Sequence, residues 1–580
     1  MRFREPNTTI AILKPEPPPA LSVLKNRRLL LGMFLLNCSV LLSTLTLVLK
    51  CNGLTVVEVS GYSYSTPVKR LEDLWDMQTA DAVPASRHFK VEVDVSKSLH
   101  ITQPHYISVN IDARQIMFRL RGFNFSSEKL RSMAAALSPT NIRFGGTYAN
   151  FLHFDPDAIE GAALEQHDLE YKVDPSPYPE YADEKRLKYL TFTAELWDNM
   201  TRFCDDVGWD IMWDFNLFVW RDGQWSPTEA DKFLKYSAAR GVNIPSFQLG
   251  NEPNSYKFNY NFTLDPQVLV QGFKSLKELL SEYPQYDASS IYGPEVTNLN
   301  SRHVSPRRFL TAFLQAGGCD VVTEICLHHY YLDGVTATIE DFMDPEVMET
   351  LRLELDHAYN ITAENCRVHK PIRFTETSSA FGGGTDGLSN GYVAGFLWLD
   401  KLGLSAKYRV THVFRQSFFG GGYSLVDRNL NPNPDYFLTV LFKHLVEGPV
   451  FDVTNTDIPP QLRLYAHCAR KSYYNYPDGA VVIYYLNTGN ESISLSLDQF
   501  HTSFGVHLFV LTPGDSSGMK SKKVKLNDVL LEIKDDELPL MRPKLHTGDV
   551  PLPQQSFGFI VVPEADVRLC KIYHRSRDID

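Results

Sequence analysis

Residues 248–256 read QLGNEPNSY, from Gln248 to Tyr256, with Glu252 at their centre. Apolar residues at Ile244, Phe247 and Leu249 lead into this stretch, and Gly250 and Pro253 stop it. Glu252 is therefore expected where a buried strand opens into a loop, a place suited to chemistry. Residues 374–384, FTETSSAFGGG, repeat the design with a short strand, the carboxylate of Glu376, and then small residues and glycines.

The chain around these two stretches alternates strand-like and helix-like segments. Strand-like runs fall at 106–112, 141–147, 209–216, 245–253, 289–296, 324–331, 371–378 and 410–419. One intervening helix carries its own signals, since Ser226-Pro227-Thr228-Glu229 reads as a capping box with proline in the first turn and Gly241 follows as a stop. Eight strands with helices between them are what a (β/α)8 TIM barrel requires, and catalytic residues in that fold come from the C-terminal ends of strands. Glu252 is expected to close the fourth strand and Glu376 the seventh, with residues 101–450 as the catalytic barrel. An acidic, proline-bearing insert at 155–186 interrupts it and reads as an exposed, mobile loop.

Beyond about residue 451 the helical pattern stops. Runs at 462–468, 480–486, 492–497, 506–511, 529–533, 557–562 and 567–573 are spaced as in a β-sandwich, assigned to 451–580. Residues 90–95 alternate strictly and, within a segment 88–100, are expected to join that sandwich from the other end of the chain.

At the N-terminus, residues 1–28 form a proline-rich polar tail, and residues 29–49 are apolar and uncharged, preceded by Lys25, Arg27 and Arg28. The expectation is an uncleaved type II signal anchor followed by a stalk (50–87), which would make the rest lumenal or extracellular. The alternative is a cleaved signal peptide and a secreted protein. Sequons at Asn124, Asn199, Asn261, Asn360 and Asn490 suit a secretory chain as N-glycosylation acceptors. The formal net charge of −12 argues against general affinity for nucleic acid, though a local basic groove could still bind a polyanion. Eight cysteines include no CxxC, so a zinc site is not expected, and disulfides or buried thiols are.

A carboxylic acid that protonates a leaving oxygen and a carboxylate that attacks or activates water are together what glycosidic bond hydrolysis needs. Either glutamate alone also reads as a solvated loop carboxylate or a salt bridge. QLGNEPNSY, LHHYYLDG (327–334), ETSSAFGGG (376–384) and GFLWLDKLGLSA (395–406) resemble the heparanase-like family of retaining glycoside hydrolases, endo-β-glucuronidases of heparan sulfate. The resemblance runs from about Lys90 to the C-terminus. It implies Glu252 as general acid/base, Glu376 as nucleophile, Asn251 on the sugar 2-hydroxyl, and Tyr330 near the nucleophile. By the same resemblance Gly382, Gly383, Gly422 and Tyr423 receive the substrate carboxylate, and Asp112, Thr147 and Gln416 contact the sugar. Asp112 and Thr147 also read simply as strand-end caps. Cys468 and Cys570 are implied as a disulfide tying the first strand of the C-terminal domain to its last. Neither metal nor cofactor is implied.

His328 and His329 are neighbours on one strand, so their side chains point to opposite faces, with one expected at the sugar and the other against helices. Gly382, Gly384 and Gly387 match G-x-G-x-x-G, but no βαβ unit with a following acidic residue accompanies them, so a dinucleotide site is not expected. There are departures from the family. Val335 stands where an arginine would follow the LDG turn, and the acidic insert is shorter than the segment the family excises. Arg302, Arg307 and Arg308 are candidate sulfate contacts or a solvated helix start. The expected substrate is heparan sulfate or a related glycosaminoglycan. The alternatives are an exo-β-glucuronidase with the same site and a non-catalytic heparan sulfate-binding protein.

Overall fold

The computed structural model describes residues 87–117, 120, 122–158, 190–300, 305–455 and 457–577. The expected tail, anchor and stalk, most of the acidic insert, and Arg302 lie outside the described residues. Among the described residues no helix is long and apolar enough to cross a membrane.

Eight parallel strands close into a barrel: Ile107–Asp112, Thr140–Gly145, Trp209–Phe215, Ser246–Leu249, Ser290–Val296, Glu324–Asp333, Ile372–Phe381 and Val413–Arg415, numbered one to eight below. Each overlaps one of the eight runs read from the sequence, with strands six and seven extending two and three residues past theirs. Strands buried on both faces are near-continuous apolar runs, which makes them legible. A helix follows every strand: Glu128–Ala135, Ala194–Val207, Thr228–Ala239, Pro266–Ser281, Ser305–Phe313, Pro345–Asn365, Ala394–Lys407 and Pro434–Leu445. Local chemistry starts several of them. Asp265 and Asp344 cap helices that open with Pro266 and Pro345, where a missing N–H costs nothing. The helix at Thr228 starts where expected but without the expected capping box: Pro227 holds the cap position, and Glu229 turns instead to His153 at 2.9 Å.

Strands six and seven run on together past the others, with Asp333 opposite Phe381, whereas strand eight stops pairing at Thr377↔Arg415. Glu376 consequently lies mid-strand at the barrel mouth rather than at the end of its strand. Glu252 sits three residues beyond strand four, which ends at Leu249, and opens a short 3-10 turn.

The C-terminal residues form a ten-stranded sheet and a three-stranded sheet. Side chains from both, such as Val481, Ile560, Leu495 and Leu552, bury into one hydrophobic cluster separate from that of the barrel. The single strand expected at 90–95 is two: Arg87–Lys90 pairs with Ile493–Ser496 in the small sheet, and Val93–Asp94 pairs with Val446–Val453 in the large one. A third, His100–Thr102, also pairs with Val446–Val453. The run at 567–573 is not a strand but part of a helix, Arg568–Arg577. Cys570 and His574, one turn apart, face inward, and a seven-residue run fits period 3.6 as readily as period 2. The Cys468–Cys570 disulfide therefore joins a strand to this helix, not to a last strand, and a second disulfide links Cys319 and Cys366. Cys204 and Cys326 are buried free thiols.

Two glycines fit the barrel to the C-terminal sheet. On helix Ala394–Lys407, a Cβ at Gly395 would lie 2.2 Å from the Phe557 ring, and one at Gly403 would lie 2.3 Å from the Tyr465 ring.

Candidate active site

The mouth of the barrel is built around Arg143, which projects from strand two into the fully buried interior. Its guanidinium fills the space that a side chain at 145 would occupy, so residue 145 must be glycine. Isolated, that charge would be prohibitively costly, and the surrounding strands supply its partners. Nε donates to Gln248 Oε1 at 2.6 Å, Nη1 to Glu376 at 3.1 Å, and Nη2 to Asn251 Oδ1 at 2.8 Å and Asp214 at 3.1 Å, with Glu295 ion-paired to Nη2 at 2.9 Å. The surrounding carboxylates hold Arg143 cationic against its burial.

His328, from strand six, is the second hub and is only 1% exposed. Its Nδ1 lies 2.9 Å from Glu252 Oε1 and 4.0 Å from Glu376, and its Nε2 lies 2.7 Å from Glu295. Burial works against the charged ring, but the surrounding carboxylates of Glu376, Glu252 and Glu295 outweigh it and raise the pKa to about 10. The ring is thus an imidazolium at neutral pH, donating from both nitrogens. Glu295 is likewise fully buried, yet Arg143 and His328 hold it below the usual carboxylate range. Asp214 behaves oppositely, since burial exceeds the help of Arg143 and its pKa rises to about 7.

Glu376 also accepts from the Tyr330 hydroxyl at 2.7 Å. Glu252 is a fifth exposed at its side chain and occupies the left-handed region at φ +52°, a conformation that costs a non-glycine residue on the order of 1 kcal/mol or more. Its preceding residue is fixed on both sides of the peptide: Asn150 accepts from Asn251 N and donates to Asn251 O, both at 3.0 Å, and Tyr256 fixes Asn150 in turn.

The structure brings most of the residues singled out from the sequence to this mouth. Gln416 donates to Asp112 at 3.1 Å, and burial lifts Asp112 to about 6, with the like charge of Glu376 adding to the shift. Tyr423 lies beside Tyr330, ring centres 6.3 Å apart. Gly383 O accepts from Gly422 N at 3.0 Å. Gly382 and Gly383 are exposed at positive φ with open space where a side chain would be, so a ligand can approach their backbone. Thr147 is exposed at the start of a short 3-10 turn rather than in strand two, and Gly146 before it packs on Asp112. His329 faces away, as expected of one of the pair. Arg307 is taken up by the Leu299 carbonyl.

Arg143, Asp214, Gln248 and Glu295 were not singled out from the sequence. Gln248 lies inside QLGNEPNSY itself, and YGPEV at 292–296 carries the Gly, Pro and Glu punctuation that marked Glu252.

Ligand atoms of Glu252, His328 and Glu376 all lie within 4.8 Å of one another, a grouping that could hold a metal ion. The bonding fits an ion-pair centre instead, because both nitrogens of His328 are committed to carboxylates and an imidazolium has no lone pair to give.

A family model described as "Glycosyl hydrolase family 79, N-terminal domain" matches residues 120–403. The chain is 34% identical to mouse (Mus musculus) heparanase over 522 residues, covering 85% of this chain and 96% of the relative. It is 33% identical to a hyaluronoglucuronidase of the leech Hirudo nipponia, covering 77% and 92%. The structure of a GH51 α-L-arabinofuranosidase from Thermotoga petrophila superposes with a TM-score of 0.56 at 13% identity, covering 82% of this chain and 99% of that one, which is a likeness of fold.

Proposed function

The chain belongs to glycosyl hydrolase family 79, the heparanase-like glycoside hydrolases, and we propose that it cleaves internal β-glucuronosyl bonds of heparan sulfate or a related glycosaminoglycan with retention of configuration. The observation that carries this reading is the pairing of Glu252 and Glu376, with carboxylate oxygens within 4.8 Å. Retaining enzymes hold their two carboxyl groups about 5–5.5 Å apart, whereas inverting ones need about 6.5–9.5 Å to admit a water.

In this reading Glu376 attacks the anomeric carbon. Tyr330 and Arg143 donate to it and orient it. Glu252, nearer the solvent, gives its proton to the leaving oxygen, then takes one from the water that hydrolyses the glycosyl-enzyme. Asn251, fixed by Asn150, meets the sugar 2-hydroxyl. The open backbone of Gly382 and Gly383, with Gly422 and Tyr423, receives the glucuronate carboxylate. Val335, 90% exposed on the turn after strand six, places an apolar group where the family carries an arginine and favours a sparsely sulfated polymer.

The chain is proposed to be held at the membrane by 29–49, with the two-sheet C-terminal domain read as a β-sandwich. Two disulfides suit an oxidising compartment. Among the sequons, Asn124, Asn261, Asn360 and Asn490 are exposed, as glycan acceptors must be, and Asn199 is half-buried.

Size analysis of heparan sulfate and hyaluronan after incubation with the enzyme tests the reading. Shortened chains support it, release of monosaccharide alone supports exo action, and binding without turnover would sink both.

A further inference from the structure

Glu295 has no part in the two-carboxylate reaction, yet it is the anchor of the site. It is fully buried, sits at φ +60°, is ion-paired with Arg143, and accepts from His328, Gln248 and the Thr375 hydroxyl, the last at 2.8 and 3.0 Å. A carboxylate so placed demands desolvation that an apolar residue would avoid, on a backbone conformation that only glycine would adopt without strain.

We propose that Glu295 is a positioning residue that stores the acid's proton on His328. In the free enzyme the proton lies on Nδ1, 2.9 Å from Glu252 Oε1, and it crosses to Glu252 as the glycoside reacts. The inference rests on the reading of Glu252 as the acid/base.

The charged groups facing His328 are Glu252 from the loop after strand four, Glu295 from strand five and Glu376 from strand seven, with Arg143 and Asp214 behind them. When Glu376 bonds to the anomeric carbon, its negative charge, 4.0 Å from Nδ1, is consumed. The buried imidazolium loses a partner as the leaving oxygen needs a proton. The Nδ1–H bond breaks as the Glu252 O–H forms, and that O–H breaks as the leaving oxygen is protonated. In the second half, water gives its proton to Glu252 and its hydroxyl to the sugar, Glu376 leaves as a carboxylate, and the restored charge draws the proton back to Nδ1. The Nε2–H stays with Glu295 throughout. Without that anion the ring would shed its proton to solvent at lower pH, and nothing would be left to deliver.

The test is the pH dependence of kcat/KM on two aryl β-glucuronides, one with a poor leaving group and one with an activated one. For the poor leaving group, Glu295→Gln should move the alkaline limb acidward by about 1–3 pH units. Glu295→Asp, which keeps the charge, should restore most of the shift. Thr375→Val, which takes a donor from Glu295 and leaves it the stronger partner for the ring, should produce a smaller shift in the opposite direction, and it decides the matter if Glu295→Gln does not fold. An alkaline limb unmoved in these variants overturns the proton store. Glu252→Gln, run alongside, separates the two ideas. If it slows both substrates equally, the acid assignment falls and the store with it. If it is selective for the poor leaving group while the limbs of the Glu295 and Thr375 variants stay put, the store alone falls.

Discussion

His328 and His329 are adjacent on one strand and equally buried, yet they have opposite chemistry. His328 faces the barrel interior, where both nitrogens meet carboxylates and the ring is charged. His329 faces helix Ala394–Lys407, where neither nitrogen has a hydrogen-bond partner and the ring packs edge-on against Tyr331, centres 4.6 Å apart. Burial holds its pKa well below the usual range, and the Lys401 side chain adds to the effect. Lys401 itself is buried and donates to the carbonyls of His329 and Ser378 at 3.0 and 2.8 Å, and to Thr377 Oγ1. The pleat alone separates the two faces. Residue type does not decide which histidine is an ion; the groups its side of the sheet presents do.

The comparison breaks most sharply at the nucleophile. Glu376→Gln, on the ionic face, should lower kcat by roughly 10⁴-fold or more and abolish the covalent glycosyl-enzyme seen by mass spectrometry. Residual turnover near wild type would remove Glu376 from that role. The next effect is on stability against pH. His328 has a folded pKa raised to about 10 from an ordinary value near 6.5. Its contribution is therefore complete below about pH 6.5 and is lost as pH rises through 10. Urea unfolding across pH 6–10 should show this decline, and His328→Gln should flatten it.

On the other face the effects are smaller and purely structural. Lys401→Met leaves buried acceptors unpaired and should cost about 1–3 kcal/mol, read as a lower Tm with the pH profile of activity unchanged. His329→Phe removes two unpartnered nitrogens at little change of shape and should alter stability by less than about 1 kcal/mol. A loss of activity in His329→Phe as deep as that of Glu376→Gln would dissolve the distinction between the faces.

Much of this was legible before any coordinates. Parallel strands buried on both faces are apolar runs; Glu252 announces itself because glycine and proline stop the chain beside it, and Glu376 because small residues and then glycines follow its short apolar run. Arg143, Asp214 and Glu295 did not, since a charge within an apolar strand is interpretable only once its partners are known, and theirs lie on other strands. Arg143 and Glu376, for instance, are 233 residues apart. The C-terminal helix reads as a strand because so short a run carries both periodicities. Glu376 reads as a strand end because nothing in the sequence tells that strands six and seven extend beyond their neighbours.

The strands at Arg87–Lys90, Val93–Asp94 and His100–Thr102 pair only with segments beyond residue 445. At roughly 5–20 residues per second of synthesis, those strands wait on the order of tens of seconds for their partners to emerge. The barrel can close in the meantime, but these three strands remain bare edges until residues 446–453 and 493–496 have followed. The nascent protein therefore depends on something to shield them in that interval, and truncation before residue 493 exposes the edge of Arg87–Lys90 permanently, while truncation before residue 446 exposes all three.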